Sequence, residues 1–143
     1  MAAVGRLKLG GFLDQAARTP FVWGGLAGQD CMIFVADWAL LRTGRDPAAR
    51  WRGSYDSEAG AGLILDALGG LVPLLDEGLG ADGWVSTADP VSGDIGAVEV
   101  RAVDGRAALA GAVRTGGLWA VKAQSGLGLI RAAPAAAWTW PER

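Results

Sequence analysis

The 143-residue chain carries one cysteine, Cys31, and no histidine. Cys31 stands in FVWGGLAGQDCMIF, Phe21 to Phe34, just after a glycine turn and at the head of an apolar run. The chemistry open to such a residue is nucleophilic attack by its thiolate. An ordinary cysteine has a pKa near ~8.5, so only a few per cent is ionised at neutral pH. The first turn of a helix lowers that value, because unpaired backbone amides and the helix dipole favour negative charge. If Asp30 is the N-cap, Cys31 lies in such a first turn, and the adjacent carboxylate opposes the dipole. The plain alternative is a small buried hydrophobe. A nucleophile also needs a base. Asp94 is the obvious carboxylate, but with an ordinary pKa of about 3.9 it accepts a thiol proton poorly. Lys122 would need a strongly lowered pKa.

Composition narrows the remaining chemistry. One cysteine excludes an intramolecular disulfide and a cysteine-cluster metal site, and the lack of histidine argues against zinc and transition metals. The sequence therefore leads us to expect neither metal nor cofactor. The formal net charge of -2 provides no global attraction to nucleic acid or anionic lipid. One loop, LRTGRDPAARWRGSY, gathers arginines around aromatic rings. It can be read as a nucleic-acid surface, as a solvated loop whose arginines pair with Asp46, Asp56 or Glu58, or as a protein interface. The acidic balance disfavours nucleic acid, and Arg50, Trp51, Arg52 and Tyr55 are the candidate interface. SGLGL lacks the full glycine fingerprint of a nucleotide site and reads as a turn between strands.

The elements that must position these residues follow from the apolar pattern. Leu7, Phe12, Leu13 and Ala16 suggest a first helix, weakened by Gly10 and Gly11. Pro20 forces an extended or turn segment, and Gly24, Gly25 and Gly28 allow tight backbone geometry. CMIFVADWALLR, from the Asp30 cap to Gly44, is apolar nearly all round and predicts a central buried helix. Ser57 and Glu58 open a third helix through EAGAGLILDAL, closed by Gly69 and Gly70. A short apolar segment then runs to Leu75, and DEGLGADG reads as a turn-rich break. GDIGAVEVRA, AALAGAVR, LWAVKA and GLGLIRA predict an antiparallel meander, with a hairpin at RTGG closing between Val113 and Leu118. This layout is a single α+β domain over residues 1–143, helices first and sheet second. The N-terminus lacks the continuous apolar core of a secretory signal, and GAGLILDALGGLVPLL is too interrupted for a membrane span. A protein folded in a reducing cytoplasm is expected. Most of the seven tryptophans should be core or interface anchors. Trp138 and Trp140 either fold back on the core or dock on a neighbour.

Three motifs, in order, resemble the NlpC-type cell-wall peptidases, a papain-like family. FVWGGLAGQDCMIFVADW resembles the nucleophile region, with Trp23, Gly24 and Gly25 shaping the turn and Asp30 preceding Cys31. PVSGDIGAVEV resembles the Pro-x-x-Gly-Asp segment that starts the first long strand, where the counterpart of Asp94 is structural. AALAGAVRTGGLWAVKAQSGLGLI resembles the next two strands, which normally carry the catalytic histidine and a third polar residue. The resemblance runs from about Pro20 to Ile130 and implies a papain-like fold, with N-terminal helices packed on a C-terminal antiparallel sheet. It places the missing histidine at about Ala107 to Leu109 and the orienting residue near Ala120 to Lys122, close to Gln124. It also sets Phe21 where the family often has tyrosine.

Trp23-Gly24, Asp30-Cys31, the Thr43 to Pro47 loop and the Arg52 to Tyr55 stretch further resemble a branch found in tailed phages. That likeness implies a protein made in the bacterial cytoplasm and built into a virion tail, with other tail or particle proteins as partners. Two readings follow. One is a catalytically degenerate domain, Cys31 being a vestigial nucleophile position, that serves as a structural component of a tail tip, baseplate or phage-like particle. The other is an active cysteine peptidase or amidase acting on peptidoglycan, with a non-histidine base or one supplied by a partner chain.

Overall fold

The computed structural model describes residues 2–101 and 104–141. Four helices come first: α1 (Ala2–Arg18), α2 (Cys31–Thr43), α3 (Glu58–Leu68) and α4 (Leu71–Asp82). Six strands follow: β1 (Val85–Ser86), β2 (Ile95–Arg101), β3 (Ala107–Thr115), β4 (Leu118–Ala123), β5 (Gly126–Ile130) and β6 (Ala136–Thr139). The strands form one antiparallel sheet in the order β1-β6-β2-β3-β4-β5. This is the expected α+β class with helices preceding the sheet. No single described helix is long and apolar enough to cross a membrane.

α2 is the central helix. Ile33, Phe34, Val35, Ala36, Trp38 and Ala39 are all buried, as an all-round apolar helix requires. It packs on β3, and its Trp38 indole donates to the Gly93 carbonyl at 2.8 Å, joining it to the turn before β2. Phe12 of α1 stacks on Phe34 at 5.4 Å and tilts on Trp38 at 5.3 Å, so α1 completes the same core. The side chain of Leu7, part of the predicted α1 pattern, lies outside the described residues.

Two segments depart from the sequence expectation. DEGLGADG is not a break. It is the second half of α4, whose Leu71, Leu74, Leu75 and Leu79 are buried at helical spacing. Pro73 falls in the first turn, where its missing N–H costs nothing, and core packing overrides the weak propensity of Gly78 and Gly80. The second departure concerns the C-terminus, which forms β6 between β1 and β2. Trp138 there is 2% exposed and its indole donates to Asp76 Oδ1 at 3.0 Å. Trp140 is partly buried and tilts against Trp84 at 5.8 Å. Both tryptophans thus fold back on this chain. The RTGG hairpin forms but closes more tightly than expected, with Thr115 paired to Leu118 around Gly116 and Gly117 and Val113 paired to Ala120. SGLGL lies at the β4–β5 turn and along β5 itself.

Candidate functional site

Asp30 holds the site together. Its Oδ1 accepts from the Met32 and Ile33 amides at 3.0 and 2.8 Å, which caps α2. Its Oδ2 accepts from the Gly24 amide at 3.0 Å and from the Tyr55 hydroxyl at 2.5 Å. The carboxylate is 1% exposed, and these four donors satisfy it. One side chain thereby ties the glycine turn, the head of α2 and the loop before α3. The glycines are required by that closeness. Gly24 has φ +83°, donates to Asp30 and accepts from the Gly53 amide at 2.9 Å; a Cβ there would lie 2.0 Å from the Tyr55 carbonyl oxygen. A Cβ on Gly25 would meet Ile33 at 2.7 Å. Trp23 packs edge-on against Phe21, ring centroids 4.9 Å apart.

Cys31 is the first residue of α2, as expected, and is half-buried. It faces the middle of β3, where a Cβ on Gly111 would stand 3.3 Å from the Cys31 carbonyl oxygen. Burial, and then the charge of Asp30, push the thiol up to about 11, although amides of Gly111, Cys31 and Met32 pull the other way. The helix dipole therefore loses, and Cys31 is a neutral thiol at physiological pH.

The strands opposite carry no imidazole, and the carboxylate on the same sheet face as Gly111 is the exposed Glu99 of β2. Ala107, Ala108 and Leu109 are exposed in β3, with Leu109 paired to Glu99. Lys122 of β4 is 2% exposed and donates to the Ala16 carbonyl at 2.5 Å and to the Thr19 carbonyl. It caps the carbonyl end of α1, where a cation suits the dipole. Burial lowers its pKa, but the ammonium stays committed to two acceptors. Asp94 lies three residues along β2 from Ala97, the partner of Gly111, a distance of about 10 Å. Its Oδ2 accepts from the Val91 amide at 2.8 Å and its Oδ1 from the Thr139 hydroxyl at 2.7 Å. Burial raises its pKa, and its bonds fasten the turn before β2 to β6.

The model of a family described as a domain of unknown function (DUF6950) matches residues 5–140. The chain belongs to that family. No curated protein and no solved structure matches it.

In this DUF6950 domain the four residues of the candidate interface separate. Arg50 is exposed, stacks over Trp51 at 4.3 Å and stands 3.7 Å from Glu77. Arg52 turns inward: its Nε and Nη2 reach the Asp46 carboxylate at 2.7 and 3.2 Å, and Nη2 reaches Asp37 Oδ1 at 2.7 Å. Burial would raise the Asp46 pKa, but the Arg52 guanidinium and the Ala48 amide outweigh it and hold it below the usual range. Asp37 in turn accepts from the Gln29 amide at 2.7 Å. Tyr55 belongs to the Asp30 site, and burial plus the Asp30 carboxylate drive its hydroxyl pKa well above the ordinary value. Trp51 and Tyr55 line a small apolar cavity of about 30 Å³ together with Met32, Ile33 and Leu75. Among the described residues no three His, Cys, Asp or Glu side chains converge to hold a metal ion.

Sequence reasoning placed Tyr55 in the candidate interface and missed its bond to Asp30. It lies 25 positions from Asp30, and nothing local marks the pairing. The one available signal was Gly53, whose amide meets Gly24. Taken together, the arrangement presents a thiol held neutral by burial at a fixed helix terminus, supported by a fully bonded carboxylate.

Proposed function

We propose that this DUF6950 domain is a catalytically silent relative of the NlpC-type peptidases, with a papain-like fold, that acts as a structural component of a phage tail tip, baseplate or phage-like particle. The observation that carries the silent half of the proposal is the state of Cys31. Its thiol is pushed up to about 11, the positions where the resemblance puts the base are Ala107, Ala108 and Leu109, which carry no titratable group, and Lys122, near the orienting position, is bound to two carbonyls. Losing the base of a nucleophilic pair costs several orders of magnitude in rate. The particle half rests on the likeness of Trp23-Gly24, Asp30-Cys31, Thr43 to Pro47 and Arg52 to Tyr55 to the tailed-phage branch. Partners are then other tail or particle proteins, and the exposed Arg50, stacked over the half-buried Trp51, is available to them.

The kept position of Cys31 at the head of α2 favours a second reading, an active peptidase or amidase whose base comes from a partner chain. Incubating peptidoglycan with wild-type protein and with Cys31→Ala, each alone and within the native assembly, separates the two. The silent reading expects no release of fragments in any arm; release that disappears in Cys31→Ala overturns it. Reversing the charge at Arg50, by Arg50→Glu, is expected to weaken co-assembly while leaving the circular dichroism unchanged. Unaltered assembly removes Arg50 from the interface.

A further inference from the structure

The two ends of the sheet are unlike. β1, at one edge, has two residues. β5, at the other, has five, Gly126 to Ile130, and pairs with β4 in an unbroken register from Trp119↔Ile130 to Ala123↔Gly126. Among the described residues no strand pairs with its outer side. Sheet edges are normally protected by a charge, a proline, a bulge or a covering helix. α1 contacts β5 and Leu127 packs on the core, but β5 itself has no charge, proline or bulge. Its sequence, GLGLI, is uncharged and apolar, with Leu129 56% exposed. A Cβ added at Gly126 or Gly128 would touch nothing within 4 Å.

We infer that β5 pairs antiparallel with β5 of a second copy of this chain, about a two-fold axis through Gly128, so that one sheet runs through both copies. Read antiparallel against itself, the strand is complementary in one register. Leu127 and Leu129 share a sheet face with Lys122 and Ala120, while Gly126, Gly128 and Ile130 share the other. Centring on Gly128 sets Leu127 opposite Leu129 of the other copy, twice, on the first face. On the second face it sets each Ile130 opposite a glycine, Gly126, which has room for it. Arg131 then falls opposite Ser125. Shifting the centre to Leu129 would place Arg131 opposite the apolar Leu127, and shifting it to Leu127 would leave Leu129 opposite Ser125. The best register therefore matches every large apolar side chain of the strand with a leucine or a gap. Because the strand carries no charge, the two copies do not repel along it. A five-residue edge is a small interface, so the dimer belongs to the weak, transient class. The inference is independent of whether Cys31 is active.

Two variants test it on the full chain. In a Cys31→Ser background, Gly128→Cys is expected to form an intermolecular disulfide under mild oxidation, because the two-fold sets the two Cβ atoms directly opposite and a weakly held pair can close to the roughly 4 Å a disulfide needs. Leu129→Lys, at an exposed position, should leave the circular dichroism and melting temperature unchanged and abolish concentration-dependent dimerisation in analytical ultracentrifugation. A monomer at 500 μM overturns the inference. So does a dimer that Leu129→Lys leaves intact, or a dimer without a Gly128→Cys cross-link; each puts any association on another surface.

Discussion

The head of α2 supplies the unpaired amides that favour a thiolate, yet Cys31 is pushed up to about 11 by burial and by Asp30. At pH 7 roughly one such thiol in ten thousand is ionised, against a few per cent of ordinary cysteines. Alkylation by iodoacetamide is therefore expected to run at least ~100-fold slower than for a free cysteine peptide at pH 7.5, and to keep accelerating up to pH 11. A rate plateau near pH 8.5 would show an ordinary thiol. Tyr55 makes a second claim at this scale. Its hydroxyl is one of two donors to Asp30 Oδ2, the other being the Gly24 amide. Tyr55→Phe leaves that buried oxygen underbonded and should cost about 1–3 kcal/mol in urea unfolding with an unchanged slope. A neutral result would mean water replaces the hydroxyl. Gly24→Ala is harsher, since the new methyl would need the Tyr55 carbonyl to move out of its way. A loss of more than about 3 kcal/mol is expected.

Among the elements, α2 was legible because three local signals agree: an Asp30 cap, an apolar run and a glycine stop. The meander was legible for a similar reason, with short apolar runs separated by glycines. α4 was not, because Gly78 and Gly80 look like punctuation while the residues that stabilise the helix, Leu71, Leu74, Leu75 and Leu79, draw their energy from a core that no local window contains. Gly80 offers a direct check. It sits inside α4, exposed, with nothing within 4 Å of an added Cβ. Gly80→Ala should stabilise the domain by about 0.5–1 kcal/mol, as a glycine in a helix interior does and a glycine in a turn does not. Within the site, the Asp30 cap and Cys31 were legible in a stretch of consecutive sequence. The Tyr55 bond to Asp30 and the Lys122 bonds to Ala16 and Thr19 were not, for they span 25 residues and more than 100. Only the assembled sheet and its packed helices bring those residues together.

For the molecule as a whole, the same buried groups govern stability in alkali. A group whose folded pKa lies above its unfolded value stabilises the protein fully below the unfolded pKa, and that contribution is lost as pH rises through the folded pKa. Cys31 is such a group: the folded chain keeps its proton from about pH 8.5, where the unfolded thiol ionises, up to about 11. Tyr55 acts with the same sign at higher pH. Lys122 acts oppositely, because burial lowers its pKa and the folded chain then binds fewer protons than the unfolded one. The raw pH–stability curve mixes all three, so the informative quantity is the difference between wild type and Cys31→Ala. That difference should be flat below pH 8 and then move steadily against wild type between pH 8.5 and 11, as measured by urea midpoints at fixed ionic strength. Parallel curves across that window would mean that Cys31 titrates alike in both states. The reluctant thiol, and with it the account of a silent site, would then have to be abandoned.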